Sequence, residues 1–199
     1  MSKAFLSKRL TFIIVIFSCF LIQCKEVSND VELTEIAQAV SLSKIIDSLS
    51  LSGESLSVFV DKSDRTLTMK HGAKILKSYS VVLGFNPIDD KRIEGDGCTP
   101  EGTFSIVDKY PHAKWSKFIW INYPTPNSWN KFNASVANGE LPNGATIGGE
   151  VGIHGVPKGM DGIISNKTDW TAGCISLSTN DINEIYPFID KSTAITIQK

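Results

Sequence analysis

One cysteine and one histidine in the last third of the chain have the residue types and surroundings of a nucleophilic pair. His154 lies in the apolar, glycine-containing run 151–155, and Cys174 follows a turn of small residues and begins the apolar run 174–177. A free thiol is only slightly ionised at neutral pH, so a nucleophilic cysteine needs an imidazole within hydrogen-bond reach to take its proton. These residues predict a Cys-His site for acyl transfer if the fold brings the two strand ends together.

The turn before Cys174 could supply a second part of such a site. The successive backbone N–H groups of Ala172, Gly173 and Cys174 would stabilise a tetrahedral oxyanion if they converge. Other interpretations stay open: cysteine and histidine can be inert core residues, and a disulfide between Cys174 and Cys98 would remove the nucleophile. No metal site is predicted, because the histidines and cysteines show no closely spaced ligand pairs.

The elements that must position these residues are mostly strands. Short runs rich in β-branched and aromatic residues, separated by turns, predict strands at 57–61, 66–69, 74–83, 102–108, 118–123, 145–154, 173–177 and 194–197. One helix is predicted from about Thr179 to Ile189, with Ser178 as its N-cap, and Pro187 is expected to kink it or end it early. Residues 123–144 are expected to form a long surface excursion ahead of the histidine strand.

The first 55 residues differ in composition from the rest. Basic residues precede an apolar run from Leu10 to Ile22, which is shorter than a spanning helix and predicts a signal peptide over residues 1–23, with an uncleaved anchor as the alternative. Residues 24–55 are polar, lack aromatic residues and predict a tether with a possible short amphipathic helix. The whole chain has 20 basic and 21 acidic residues among 199, so a strongly basic nucleic-acid-binding protein and a polytopic membrane protein are both excluded.

A possible lipid anchor lies at the end of the apolar run. Cys24 closes the sequence Leu-Ile-Gln-Cys and precedes a polar segment, which resembles the lipobox of bacterial lipoproteins. In that motif the cysteine is lipidated and becomes the first residue of the mature protein. Cys19 is a rival position, and removal of both cysteines with an ordinary signal peptide is the third alternative. We expect membrane anchoring through Cys24 and a periplasm-facing location in a bacterial cell envelope.

The motifs around the cysteine and the histidine resemble those of the L,D-transpeptidase catalytic domain family, which is also called YkuD-like. The family's His-Gly motif matches His154-Gly155, and its Ser/Thr-x-Gly-Cys-apolar motif matches residues 171–175. Three upstream segments also resemble the family, in its order, at residues 58–63, 80–84 and 95–104. The similarity covers about residues 56–199 and implies a single, mostly β domain of the sandwich or barrel type with few helices.

The resemblance also implies a mechanism that needs no cofactor. Cys174 would attack a carbonyl in a peptidoglycan stem peptide and form a thioester, with His154 as general base and the carbonyl of Gly155 orienting the imidazole. Transfer of the acyl group to an amine would cross-link stems or anchor a protein, whereas transfer to water would be hydrolysis. Both stay open, because the motifs also resemble a branch of the family that includes a hydrolase. A non-catalytic, wall-binding lipoprotein is the alternative of another class.

Two positions depart from the family's common pattern. Ala172 replaces a histidine of many members, and Ser176 replaces an arginine that could anchor a substrate carboxylate. We expect the side chains nearest the nucleophile, Thr171, Ser176, Trp170 and Asp169, to contact the substrate. The expected partners are therefore peptidoglycan stem peptides and a membrane, and no nucleic acid.

Overall fold

The computed structural model describes residues 40–49, 51 and 56–199 of the chain. The predicted signal peptide, Cys19 and Cys24 lie outside these residues. The strands are β1 (Leu56–Asp61), β2 (Thr66–His71), β3 (Lys74–Ser80), β4 (Gly102–Phe104), β5 (Ile106–His112), β6 (Ser116–Ile121), β7 (Gly152–Gly155), β8 (Ile175–Leu177) and β9 (Ala194–Gln198). The helices are α1 (Leu42–Leu49), α2 (Pro126–Ala137), α3 (Gly162–Ser165) and α4 (Thr179–Ile185), followed by a 3-10 turn at Tyr186–Phe188.

The nine strands form two sheets. The first has the order β3-β2-β1-β9-β4, in which only the central β1–β9 pair is parallel. The second has the order β5-β6-β7-β8, in which β7 and β8 are parallel. The predicted meander of β1, β2 and β3 is present, and the mostly β fold with few helices is confirmed. In the described part of the chain, no helix has the length and apolar character to cross a membrane.

Both sheets contribute to one hydrophobic core. Val58 and Leu67 from the first sheet cluster with Ile119, Ile153 and Ile175 from the second, and all five are essentially inaccessible to solvent. Burying aliphatic side chains of this size stabilises the fold by about 1.5–3 kcal/mol each. The core therefore holds the strand that carries the histidine and the strand that follows the cysteine in a fixed relation.

The short helix α1 lies inside the segment predicted to be a tether. Leu42 is fully buried, and Ile45, Ile46 and Leu49 pack against the core of the domain. The backbone N–H of Leu42 also donates a hydrogen bond to the Glu184 carboxylate over 2.7 Å. The hydrophobic core thus takes in side chains upstream of residue 56.

The predicted strand at 145–154 is too long. Only Gly152–Gly155 is extended and paired, because Gly148 and Glu150 have positive φ angles of 74° and 55°, which interrupt an extended backbone. The predicted strand at 102–108 is divided at Ser105, since β4 pairs with β9 in the first sheet and β5 pairs with β6 in the second. The chain changes sheets at this point.

The helical predictions need two corrections. The excursion at 123–144 contains α2, which begins after the N-cap Thr125, with Pro126 at its first position and Ser128 completing a capping box. The predicted C-terminal helix has the expected N-cap at Ser178, but its α-helical part is shorter than predicted and ends at Ile185. Pro187 lies in the 3-10 turn that follows, since proline cannot donate the next helical hydrogen bond.

Candidate active site

The pairing of the second sheet brings the histidine strand beside the cysteine. In the parallel β7–β8 pair, Ile153 lies opposite Ile175 and His154 lies opposite Ser176. Cys174 directly precedes β8, and residues two apart along a strand share a face. The register therefore places Cys174 opposite Gly152 on the neighbouring strand, two residues along β7 from His154 and on the same face.

The imidazole of His154 is buried and fixed in one tautomer. Its Nδ1 lies 2.8 Å from the carbonyl oxygen of Gly155. A carbonyl can only accept, so Nδ1 carries the proton and Nε2 is left to accept one. The Trp115 ring stacks on the imidazole at 4.4 Å between centroids, and Trp170 meets it edge-on at 5.8 Å. Burial lowers the pKa of His154 to about 4, which keeps the ring neutral at pH 7.

The Cys174 side chain is a free, partly buried thiol. Its Sγ lies 3.8 Å from the backbone carbonyl of Glu150, to which it can donate a weak hydrogen bond. Burial raises the pKa of the Cys174 thiol to about 11, although the ammonium of Lys91 acts in the opposite direction. Cys98 is free as well, so the disulfide alternative is not realised in this structure.

The turn that leads into Cys174 is held by Thr171. The hydroxyl of Thr171 donates to the carbonyl of Cys174 over 2.7 Å and accepts the N–H of Gly173 over 3.2 Å. Gly173 has a φ of 140°, and a Cβ at this position would lie only 2.7 Å from the carbonyl oxygen of Cys98. The position thus requires glycine. Since the Gly173 amide is already bonded, the amides of Ala172 and Cys174 are the better candidates for binding an oxyanion.

The segment that follows β3 pairs both with β8 and with the turn before Cys174. Val82 bridges Ser176, and Gly84 bridges Thr171, on the side away from β7. Lys91, further along the same connection, is 6% exposed and forms an ion pair with Asp96 at 2.9 Å. Its ammonium lies 3.6 Å from the place where a Gly173 Cβ would be. A buried cation therefore stands beside the turn that carries the nucleophile.

Three of the four residues predicted to contact the substrate are held within the protein: two have hydrogen-bond or ion-pair partners there, and the third, Ser176, is buried with no hydrogen-bond partner for its hydroxyl among the described residues. Thr171 is buried and holds the turn, and Ser176 is fully buried within β8. Asp169 forms an ion pair with Arg65 at 2.7 Å and accepts the N–H of Leu83 at 2.8 Å. These side chains are neighbours of the nucleophile in sequence, but burial or internal bonds direct them into the protein.

A cavity of about 260 Å³ borders Cys174, and its lining includes Trp115 and Trp120, two of the four tryptophans that the sequence offers either for a substrate groove or for the core. Its other lining residues are Tyr110, His112, Trp115, Phe118, Trp120 and Glu150. Tyr110 pairs with Phe118 across the β5–β6 hairpin, so that alternate residues of both strands form one aromatic wall. In the sequence, the alternation of aromatic residues on either side of the short turn between β5 and β6 indicates this wall.

No cluster of three or more metal-ligating side chains occurs among the described residues. A larger cleft of about 780 Å³ is lined by residues of the 86–98 segment, of α2 and of the segment that follows α2. Neither Cys174 nor His154 lines it. The chemistry is therefore concentrated around the cysteine and the aromatic cavity, not in the larger cleft.

Comparisons with known proteins agree with this arrangement. A family model described as the L,D-transpeptidase catalytic domain, YkuD, matches residues 55–197. The solved structure of the helical cell shape determining protein Pgp2 from Campylobacter jejuni is 22% identical, with a TM-score of 0.52, over 74% of this chain and 49% of that one. Bd1075 from Bdellovibrio bacteriovorus is 20% identical, with a TM-score of 0.51, over 73% and 48% of the two chains.

These similarities concern the fold. The chain spans about half the length of either solved structure, 49% and 48%. A search of curated protein sequences found no match.

Proposed function

The chain belongs to the L,D-transpeptidase catalytic domain family, and from this premise we propose that it attacks peptidoglycan stem peptides with Cys174 and forms an acyl-enzyme thioester. The observation that carries the proposal is the parallel pairing of β7 with β8, which sets His154 beside the cysteine's strand. The fixed tautomer of the imidazole supports the same roles, because it leaves Nε2 free to take the thiol proton.

The proposed first half-reaction uses the thiol, the imidazole and three backbone groups of this chain. As Sγ attacks the stem carbonyl, the thiol proton moves to Nε2 of His154, and the Gly155 carbonyl stabilises the imidazolium through Nδ1–H. The amides of Ala172 and Cys174 would receive the oxyanion. Collapse of the tetrahedral intermediate breaks the peptide bond, and the imidazolium returns its proton to the leaving amine. The product is a thioester on Cys174 and a released C-terminal residue.

We propose transfer to an amine as the second half-reaction, which would give a cross-link or a protein anchor. Hydrolysis is the second candidate, and the partial exposure of Cys174 favours it, because water has access to the thioester. In both cases His154 would remove a proton from the incoming amine or water, and sulfur would leave as the thiol. The two reactions differ only in the acceptor.

We also propose export and lipid anchoring through Cys24, which lies outside the described residues. Cells grown with labelled palmitate should label the parent chain and a Cys19→Ala variant, but not Cys24→Ala. Label that survives in Cys24→Ala would contradict this assignment. The two variants are matched, because both remove one cysteine from the same N-terminal segment.

Purified muropeptides that carry tetrapeptide stems test the nucleophile. The parent protein and a Cys98→Ala control should form products, whereas Cys174→Ala should form none. Dimeric products would identify a transferase, and shortened monomers a hydrolase. Product formation by Cys174→Ala at the parental rate would contradict the proposal.

A further inference from the structure

Two lysines in the described part of the chain are almost completely buried, and their ammonium groups are used differently. Lys62 is 2% exposed and Lys91 is 6% exposed. An ammonium has three N–H donors, and Lys62 uses all three. Its acceptors lie at 2.7–3.1 Å and are the carbonyls of Asp89 and Thr99 and the Glu101 carboxylate.

Lys91 leaves one of its three donors unused. Its Nζ donates to the Ile93 carbonyl over 3.1 Å and to the Asp96 carboxylate over 2.9 Å, and it has no third acceptor among the described residues. The Asp96 carboxylate is itself fixed, because it accepts the backbone N–H groups of Arg92, Ile93 and Cys98. A buried donor without a partner destabilises a fold, so its presence here calls for a reason.

The ammonium of Lys91 lies against the turn that carries the nucleophile. Its Nζ is 3.6 Å from the place where a Gly173 Cβ would be. Lys91 lines neither the aromatic cavity nor the larger cleft, so it meets the turn from within the protein. Burial raises the pKa of the Cys174 thiol and Lys91 lowers it, whereas the groups that shift the pKa of His154 do not include Lys91. The cation therefore acts on the cysteine and not on the imidazole.

We infer that Lys91 is a positioning residue for acyl transfer, whose buried charge stabilises the negative charge that develops at the turn 172–174 as Cys174 attacks. The inference rests on the proposed function, because that charge forms only if Cys174 is acylated. During the attack the S–C bond forms, the thiol proton moves to Nε2 of His154, and the substrate carbonyl oxygen becomes the oxyanion. Lys91 keeps its protons throughout, so the charge balance of the step is unchanged.

A fixed cation at this place compensates for a sparse oxyanion site. The Gly173 amide is already bonded to the Thr171 hydroxyl, which leaves the amides of Ala172 and Cys174. In a buried setting the field of a cation is screened far less than in water. The bonds around Asp96 hold Lys91 in position before the reaction, so no rearrangement is needed when the charge appears.

Neutral replacements of Lys91 test the inference, with a carbapenem-type acylating agent as the probe. Lys91→Met removes the charge and both hydrogen bonds, whereas Lys91→Gln removes the charge and keeps a side-chain donor. Both should lower the maximal rate of Cys174 acylation, measured by intact-mass spectrometry, about tenfold or more. The reagent concentration that gives half of that rate should change less than about twofold, because Lys91 does not line the cavity beside Cys174.

Lys62→Met is the matched control, because it also removes a buried ammonium that is paired with one carboxylate. It should be acylated at the parental rate, and urea unfolding measures how far each variant is destabilised. A loss of acylation in Lys62→Met as large as that in Lys91→Met would show that the loss comes from disruption of the fold. That result would overturn the inference.

Two alkylating agents separate the effect of charge from that of a displaced turn. Iodoacetate is anionic and iodoacetamide is neutral, and both react with the same thiolate. The ratio of the iodoacetate rate to the iodoacetamide rate at Cys174 should fall about threefold or more in Lys91→Met and Lys91→Gln, because the cation no longer attracts the anion. A turn that is only displaced changes both rates alike.

The outcomes distinguish this inference from the proposed function. An unchanged ratio, or a parental acylation rate in Lys91→Gln, would overturn the role of Lys91 and leave the nucleophile assignment intact. If the parent protein is not acylated at Cys174, the proposed function fails instead.

Discussion

Alkylation of Cys174 by iodoacetamide should increase with pH from about 6 to about 10 without a plateau near neutrality. Burial raises the pKa of the Cys174 thiol to about 11 and lowers the pKa of His154 to about 4. One pKa unit corresponds to about 1.4 kcal/mol, so moving the proton from sulfur to the imidazole costs on the order of 10 kcal/mol in the free protein. The resting pair is therefore a neutral thiol beside a neutral imidazole.

The thiolate fraction below the pKa rises about tenfold for each pH unit, and the alkylation rate should follow it. Burial also raises the pKa of the Cys98 thiol to about 11, so the pH dependence alone does not distinguish the two cysteines. Peptide mapping by mass spectrometry is therefore needed to measure the label on Cys174 alone. A His154→Gln variant should show the same slope, since the imidazole does not ionise the thiol at rest. A plateau above about pH 6 that disappears in His154→Gln would refute the reasoning and indicate a resting thiolate–imidazolium pair.

Two substitutions near the nucleophile should have separable effects. Gly173→Ala should cost about 1–3 kcal/mol in urea unfolding and abolish acylation, because its Cβ would collide with the Cys98 carbonyl and displace the turn; a variant with parental acylation rates would contradict this. Lys91→Met should slow alkylation of Cys174 at fixed pH, since the lost ammonium raises the pKa of the thiol further. Unchanged or faster alkylation would show that this cation does not act on Cys174.

The aromatic rings around His154 give its low pKa a structural cause. Trp115 stacks on the imidazole at 4.4 Å and Phe118 at 5.9 Å, and Trp170 contacts its edge. These rings exclude water from the charged form of the histidine, so protonation must be compensated by the Gly155 carbonyl at Nδ1. General-base catalysis then requires the proton to move as the sulfur attacks, rather than before it.

Local sequence signals were sufficient for much of the fold. The alternation in residues 57–69 predicted β1 and β2, and Ser178 marked the start of α4. The helix α2 escaped prediction because its sequence is largely polar, and only its N-terminal signals, Thr125 and Pro126, identify it. A helix without a clear apolar stripe gives no periodic pattern to follow.

The candidate site was predictable only where a short motif carried it. His154 and Cys174 followed from their local surroundings, whereas the aromatic wall forms only when β5 pairs with β6, and the alternation of aromatic residues does not by itself specify that pairing. Ser176 was predicted to contact the substrate. It lies two residues from the nucleophile, yet parallel pairing with His154 buries it completely. Proximity in sequence therefore did not indicate how deeply the side chain is buried.

The acyl-enzyme can be measured directly by intact-mass spectrometry after brief incubation with a tetrapeptide stem and an acid quench. The account predicts a mass increase equal to the stem acyl group without its C-terminal residue, and peptide mapping should place it on Cys174. Hydroxylamine should remove the adduct, as expected for a thioester. Release of the C-terminal residue without any adduct, or with an adduct on another residue, would contradict the assignment of Cys174 as the nucleophile.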